Sequence, residues 1–147
     1  MPAKTKIEQI MTKGVFSVTL DDTLQKADEI MREEKIRHLP VVDDGKLVGL
    51  ITERKLMEYS LRQIYEYDDT MGEVGRNKIS DYEKIMAKNV RVIYPEDSVL
   101  KAVELMAKYK VDCLPVVDWE HQLVGIITSV DVMLFVHKKL MEDFKQK

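Results

Sequence analysis

The apolar positions of this chain change period in a fixed order, and that order runs through twice. A short run rich in β-branched residues, Val15 to Val18, suits a strand. Asp22-Thr23 follows as a helix N-cap signal, and beyond it Leu24, Ala27, Ile30 and Met31 recur at helical spacing. Leu39 to Val42 and Leu47 to Ile51 are apolar runs of strand length, with Asp44-Gly45 between them as a hairpin turn. A last helix is predicted to begin at Thr52. The second half repeats this order: Val90 to Ile93, the N-cap signal Asp97-Ser98, then Val99, Ala102, Val103 and Met106 at helical spacing. Two more strands flank the longer turn Trp119-Glu120-His121-Gln122, and a final helix begins at Thr128.

A shift of 75 residues makes the repeat explicit. Met11 falls on Met86, Lys26-Ala27 on Lys101-Ala102, and Leu39-Pro40-Val41-Val42-Asp43 on Leu114-Pro115-Val116-Val117-Asp118. One extra residue in the second turn makes the shift 76, where Leu47-Val48-Gly49 meets Leu123-Val124-Gly125 and Ile51-Thr52 meets Ile127-Thr128. Each copy reads β-α-β-β-α. A single copy would leave one face of a small sheet open, whereas two copies bury both faces by packing sheet to sheet with helices outside. The expected fold is therefore mixed α/β (α+β): two tandem β-α-β-β-α units related by a pseudo-twofold axis. The boundaries fall at 7–67 for the first unit, 68–77 for a polar, glycine-bearing mobile connector, and 78–147 for the second unit with its C-terminal helix.

Composition narrows the class. The 147 residues are 45% hydrophobic and 33% charged, a soluble globular mix, and the net charge of -3 gives no general reason to expect nucleic acid. No apolar run reaches the roughly 18 residues that span a bilayer, so no membrane is expected. The start, Met1 to Lys6, lacks the apolar core of a secretory signal, and the single cysteine, Cys113, has no internal partner. A reducing, cytoplasmic setting follows as the expectation. The final helix is apolar nearly all round. Val130, Met133, Leu134, His137, Leu140, Met141 and Phe144 form one stripe, and Val132, Phe135 and Val136 add to it. Its counterpart carries Leu56, Met57, Leu61, Ile64 and Tyr65. Such helices call for cover on more than one side, and a second chain in a twofold homodimer supplies it.

The chemistry concentrates at Gly125-Ile126-Ile127-Thr128-Ser129-Val130-Asp131, where a strand gives way to a helix. Free backbone N–H groups there favour an anion, and a carboxylate there accepts hydrogen bonds from two vicinal sugar hydroxyls. Thr-x-x-Asp before an apolar run is equally a helix-capping pair, and both readings stand. The first copy reads Gly49-Leu50-Ile51-Thr52-Glu53-Arg54-Lys55, with Lys55 in the place of Asp131. Lysine has no acceptor, so the two copies are expected to be unequal, with one competent site per chain. Lys55 would serve at most as a point charge for a phosphate, or as a solvated helix lysine. The three histidines, His38, His121 and His137, lack metal-ligand spacing, so no metal is expected. Cys113 reads as core rather than nucleophile, and no catalytic constellation emerges.

The paired hxLPVVD and GhhTxxD patterns resemble cystathionine-β-synthase (CBS) domains, and the tandem resembles a Bateman module, from about Ile7 to Leu134. The resemblance implies a stand-alone regulatory module rather than an enzyme. It would sense an adenosine-containing ligand (AMP, ADP, ATP or S-adenosylmethionine) in the cleft between the units, with no required cofactor, and signal to an unidentified regulated protein. It further implies a shared site in which Thr128, Ser129 and Asp131 meet Thr12, Phe16, Val18, Ile36, Arg37, His38 and Leu39. The apolar members would sandwich adenine, Arg37 and His38 would meet phosphates, and Asp131 would hold the ribose. A weaker second cleft would draw on Thr52, Lys55, Asn89, Val111, Asp112 and Cys113. The alternative is a ligand-free dimerisation or scaffold module in which Asp131 merely caps.

Overall fold

The computed structural model describes residues 2–66 and 79–146, so the expected connector 68–77 lies outside the described residues. The fold is mixed α/β. In the first copy β1 (Val18–Thr19) runs parallel to β2 (His38–Asp43), which pairs antiparallel with β3 (Lys46–Thr52). Helix α1 (Leu24–Glu34) joins β1 to β2, and α2 (Glu53–Glu66) follows β3. After α3 (Ile79–Ile85) the second copy gives α4 (Val99–Tyr109), β4 (Cys113–Val117), β5 (Leu123–Thr128) and α5 (Ser129–Lys145).

The same local chemistry builds both copies. Thr23 and Ser98 cap α1 and α4, each side-chain oxygen accepting the N–H three residues on at 3.1 Å. Both helices close on a lysine in the left-handed region, Lys35 (φ 56°) and Lys110 (φ 54°), whose N–H bonds back to Met31 and Met106. Asp44 (φ 50°) and Gly45 (φ 82°) make the tight β2–β3 turn, since two positive φ values match the twist of the flanking strands. Both hairpins slip register at one equivalent place, Val41/Val42 and Val116/Val117.

Two expectations change. The first strand is shorter than the run Val15 to Val18, because only Val18 and Thr19 pair with β2. In the second copy the run Val90 to Ile93 reduces to a single parallel bridge, Ile93 to Val116. Pro95 stands where the first copy has Leu20 and brings no N–H to extend the ladder.

The described chain divides into two compact units, Phe16–Val90, and Met1–Val15 with Arg91–Lys147. The cut in space is not the cut between repeats. Ile7 is fully buried with Ile93, Ala102, Leu114, Val116 and Ile127 of the second copy. Tyr82, which falls on Ile7 at the repeat shift, is fully buried with Val18, Leu39, Val41 and Ile51 of the first, and its hydroxyl donates to the Thr23 carbonyl at 2.7 Å. The leader of each copy thus completes the core built from the other copy's strands. Two glycines permit this. A Cβ on Gly125 would lie 2.5 Å from the Met11 sulfur and 3.1 Å from the Thr12 carbonyl oxygen; one on Gly49 would lie 2.6 Å from the Met86 sulfur and 3.1 Å from the Ala87 carbonyl oxygen.

Candidate functional site

The site is built at the start of α5. Thr128 ends β5 in extended backbone and acts as N-cap; its hydroxyl accepts the Asp131 N–H, and Asp131 Oδ2 accepts the Thr128 N–H at 2.9 Å. This reciprocal pair satisfies two N–H groups that a helix start leaves open. The Thr128 hydroxyl also lies 3.3 Å from Oδ2. The other carboxylate oxygen, Oδ1, accepts a hydrogen bond from the Thr12 hydroxyl at 3.1 Å. Thr12 reaches this place because the leader pairs with β5: its N–H donates to the Ile126 carbonyl at 2.8 Å, and the Ile126 N–H donates back at 3.0 Å.

The neighbouring expected residues gather in the same unit. Cys113 lies opposite Thr128 in the β4–β5 register, and the Ser129 N–H donates to the Asp112 carbonyl at 2.9 Å. Val111 is half-buried against the core, and the side chains of Asp112 and Ser129 are exposed. Burial of Cys113, with the nearby charges of Asp112 and Asp131, pushes its thiol up to about 12. A thiol so held is protonated at neutral pH and a poor nucleophile.

The equivalent corner of the other unit has different chemistry. His38 lies opposite Thr52 in the β2–β3 register, and the Glu53 N–H donates to the Arg37 carbonyl at 2.9 Å. Thr52 accepts the Lys55 N–H at 3.2 Å, and the Lys55 ammonium sits 3.8 Å from Glu58. Ala87 occupies the place of Thr12, with the same backbone pairing to Leu50 at 2.8 and 3.1 Å. Asn89 is exposed with φ 55°. Acceptor and donor side chains are therefore both absent where Asp131 and Thr12 stand in the other copy.

The first expected set thus divides. Thr12, Thr128, Ser129 and Asp131 come together in one unit, while Phe16, Val18, Ile36, Arg37, His38 and Leu39 belong to the other. Val18 and Leu39 are 1% and 0% exposed and pack in the sheet core of their unit. Phe16 is exposed and Ile36 half-buried. The second set divides likewise, Thr52, Lys55 and Asn89 from Val111, Asp112 and Cys113. The bond between Thr12 and Asp131 joins residues 119 apart, and no spacing rule announces it. Among the described residues no group of three or more His, Cys, Asp or Glu converges as for a metal, and no helix is long and apolar enough to cross a membrane.

Two copies of a strand–helix–hairpin–helix unit, each ending in a threonine-capped helix after a Gly-containing strand, are the pattern of one family. Its model, described as CBS domain, matches residues 7–62 and 79–138. The chain belongs to the CBS domain family. A CBS domain-containing protein of Dictyostelium discoideum is 34% identical over 140 residues, 93% of this chain and 94% of that protein. The homoserine O-acetyltransferase of Methanosarcina acetivorans is 28% identical over 127 residues, 86% of this chain and 21% of that protein. The chain spans only about a fifth to a quarter of the length of that relative and others like it. Among solved structures, the CBS domain pair of protein MJ0100, in complex with 5′-methylthioadenosine and S-adenosyl-L-methionine, is similar with a TM-score of 0.74 and 29% identity, over 92% of this chain and 98% of that one.

Proposed function

We propose that this CBS pair is a regulatory module that senses an adenosine-containing ligand, a nucleotide or S-adenosylmethionine, and catalyses nothing itself. The observation that carries the reading is the carboxylate of Asp131, held at the first turn of α5 and half-buried beside Thr12. An ionised carboxylate accepts hydrogen bonds from a vicinal diol, and it does so more strongly than a neutral group. The similar MJ0100 pair is named as a complex with two adenosine compounds, which supports the same ligand class here. Phe16, Ile36, Arg37 and His38 are the further contributors that the family pattern implies. The ligand acts by preferring one arrangement of the module over another, which a partner protein then reads.

Thermal unfolding with AMP, ATP, S-adenosylmethionine and NAD tests this. A ligand that binds only the folded chain stabilises it by about 2.7 kcal/mol at a hundred times its Kd. The expected outcome is a concentration-dependent rise in Tm with at least one adenosine compound. A flat response to all four would favour the second reading, a ligand-free dimerisation module, whose support is the apolar surface left open on α5: Val130, Met133, Leu134, Leu140 and Phe144 are all exposed.

A further inference from the structure

We infer that the Thr12 hydroxyl competes with the ligand for Asp131, so that this side chain sets how strongly the site distinguishes ribose from deoxyribose. The inference rests on the proposed role of Asp131 in holding an adenosine ligand. An ionised carboxylate offers about four lone-pair directions. In this protein Oδ2 already faces the Thr128 N–H and hydroxyl, and Oδ1 takes the Thr12 hydroxyl. About one direction remains, on Oδ1. A single ligand hydroxyl fits there with nothing displaced. A vicinal diol needs two positions, so one resident donor must leave.

Thr12 is the donor placed to leave. The Thr128 N–H is the backbone half of the helix cap, and the Thr128 hydroxyl oxygen is held in the same cap by the Asp131 N–H it accepts. The Thr12 side chain caps nothing and belongs to an exposed residue. Its backbone stays fixed when its hydroxyl turns away, because the Ile126 pairing and the packing of Met11 on Gly125 hold the leader independently. The two copies make the same point. Where Lys55 replaces the carboxylate, Ala87 replaces the hydroxyl, while the backbone pairing and the Met–Gly contact persist. The hydroxyl therefore goes with the acid, not with the architecture.

Calorimetric titration of the wild-type chain, Thr12→Val, Thr12→Ser and Asp131→Asn with adenosine, AMP, ATP and their 2′-deoxy counterparts decides the matter. Valine keeps the branched shape and loses the donor; Thr12→Ala replaces it should valine not fold, as judged by melting. The expected result is that Thr12→Val binds the ribose ligand about 3- to 10-fold more tightly, the worth of one released hydrogen bond. The 2′-deoxy ligand should change less than the ribose ligand between wild type and Thr12→Val, and Thr12→Ser should restore the wild-type preference. A general loosening of the site moves both ligands together and overturns the inference, as does any weakening of the ribose ligand in Thr12→Val. Ribose binding that needs Asp131 but ignores Thr12 overturns this inference alone. Binding of none of the ligands to the wild type overturns the proposed function with it.

Discussion

At the scale of single residues, Asp131 carries two duties that one substitution separates. Asparagine keeps an oxygen for the Thr128 N–H but loses the charge and one acceptor. Asp131→Asn should cost stability about 0.5–1 kcal/mol or less, as a weakened cap, yet lower ribose-ligand affinity about 10- to 150-fold, as a lost charged hydrogen bond. Comparing Tm with Kd for the one variant checks both. Cys113 is legible in sequence as a core residue, and its burial makes a second expectation. With its thiol pushed up to about 12, a thiol reagent near pH 8 should leave the folded chain essentially unmodified and react fully in denaturant. Asp22 gives the pH dependence. Its burial raises the carboxyl pKa, but the Thr19 N–H and the Lys26 ammonium outweigh this, and the net shift is downward from 3.8. A lowered folded-state pKa stabilises above the unfolded value, and the gain disappears as pH falls through the folded one. Acid titration of Tm should therefore be shallower below about pH 4 in Asp22→Asn than in the wild type.

At the scale of elements, helices and hairpins follow their own sequences closely, and the pairing of leader with strand does not. Thr23, Ser98 and Thr128 start helices where the cap signals stand, and Asp44-Gly45 turns the hairpin as its dipeptide dictates. The approach of Met11-Thr12 to β5 is a different matter, since it depends on a missing Cβ. Gly125→Ala should destabilise by about 1–3 kcal/mol, the usual cost of overpacking, because the Thr12 carbonyl cannot move without breaking its bond to Ile126. The Met11 side chain can yield, so Met11→Ala should recover part of the loss but not all; denaturant midpoints measure both.

For the whole molecule, the last helix decides the question of association. Its sequence shows apolar residues on nearly every face but not which face the chain covers itself. Val132 packs on the core and Phe135 is half-buried, while the long stripe from Val130 to Phe144 is exposed. A homodimer closing on that stripe is the expected assembly. Leu134, 62% exposed, is the place to test it: Leu134→Glu should shift light scattering at micromolar concentration from dimer to monomer, since a charge would enter an apolar contact. A wild-type chain that scatters as a monomer would remove the expectation. Ligand stoichiometry belongs to the same scale. Calorimetry should count one tight adenosine site per chain, because three residues after the capping threonine one copy holds the carboxylate of Asp131 and the other the ammonium of Lys55.

The sequence by itself determined the family, the repeat, the order of elements, the caps and the inequality of Asp131 and Lys55, since each is written in spacing or side-chain type within a few residues. Tertiary structure decided what crosses between distant segments. Ile7 and Tyr82 are apolar in any reading, yet periodicity cannot say that each enters the core made by the other copy's strands. Val18 and Leu39 are apolar in the sequence, but that the sheet core buries them almost completely is a tertiary fact. The hydroxyl of Thr12 met the carboxylate of Asp131 only because a backbone pairing to Ile126 laid the leader against β5. Local pattern fixes what a segment is, because it depends on neighbours in the chain. What that segment touches depends on which buried surfaces fit together, and that is settled only when the chain has folded.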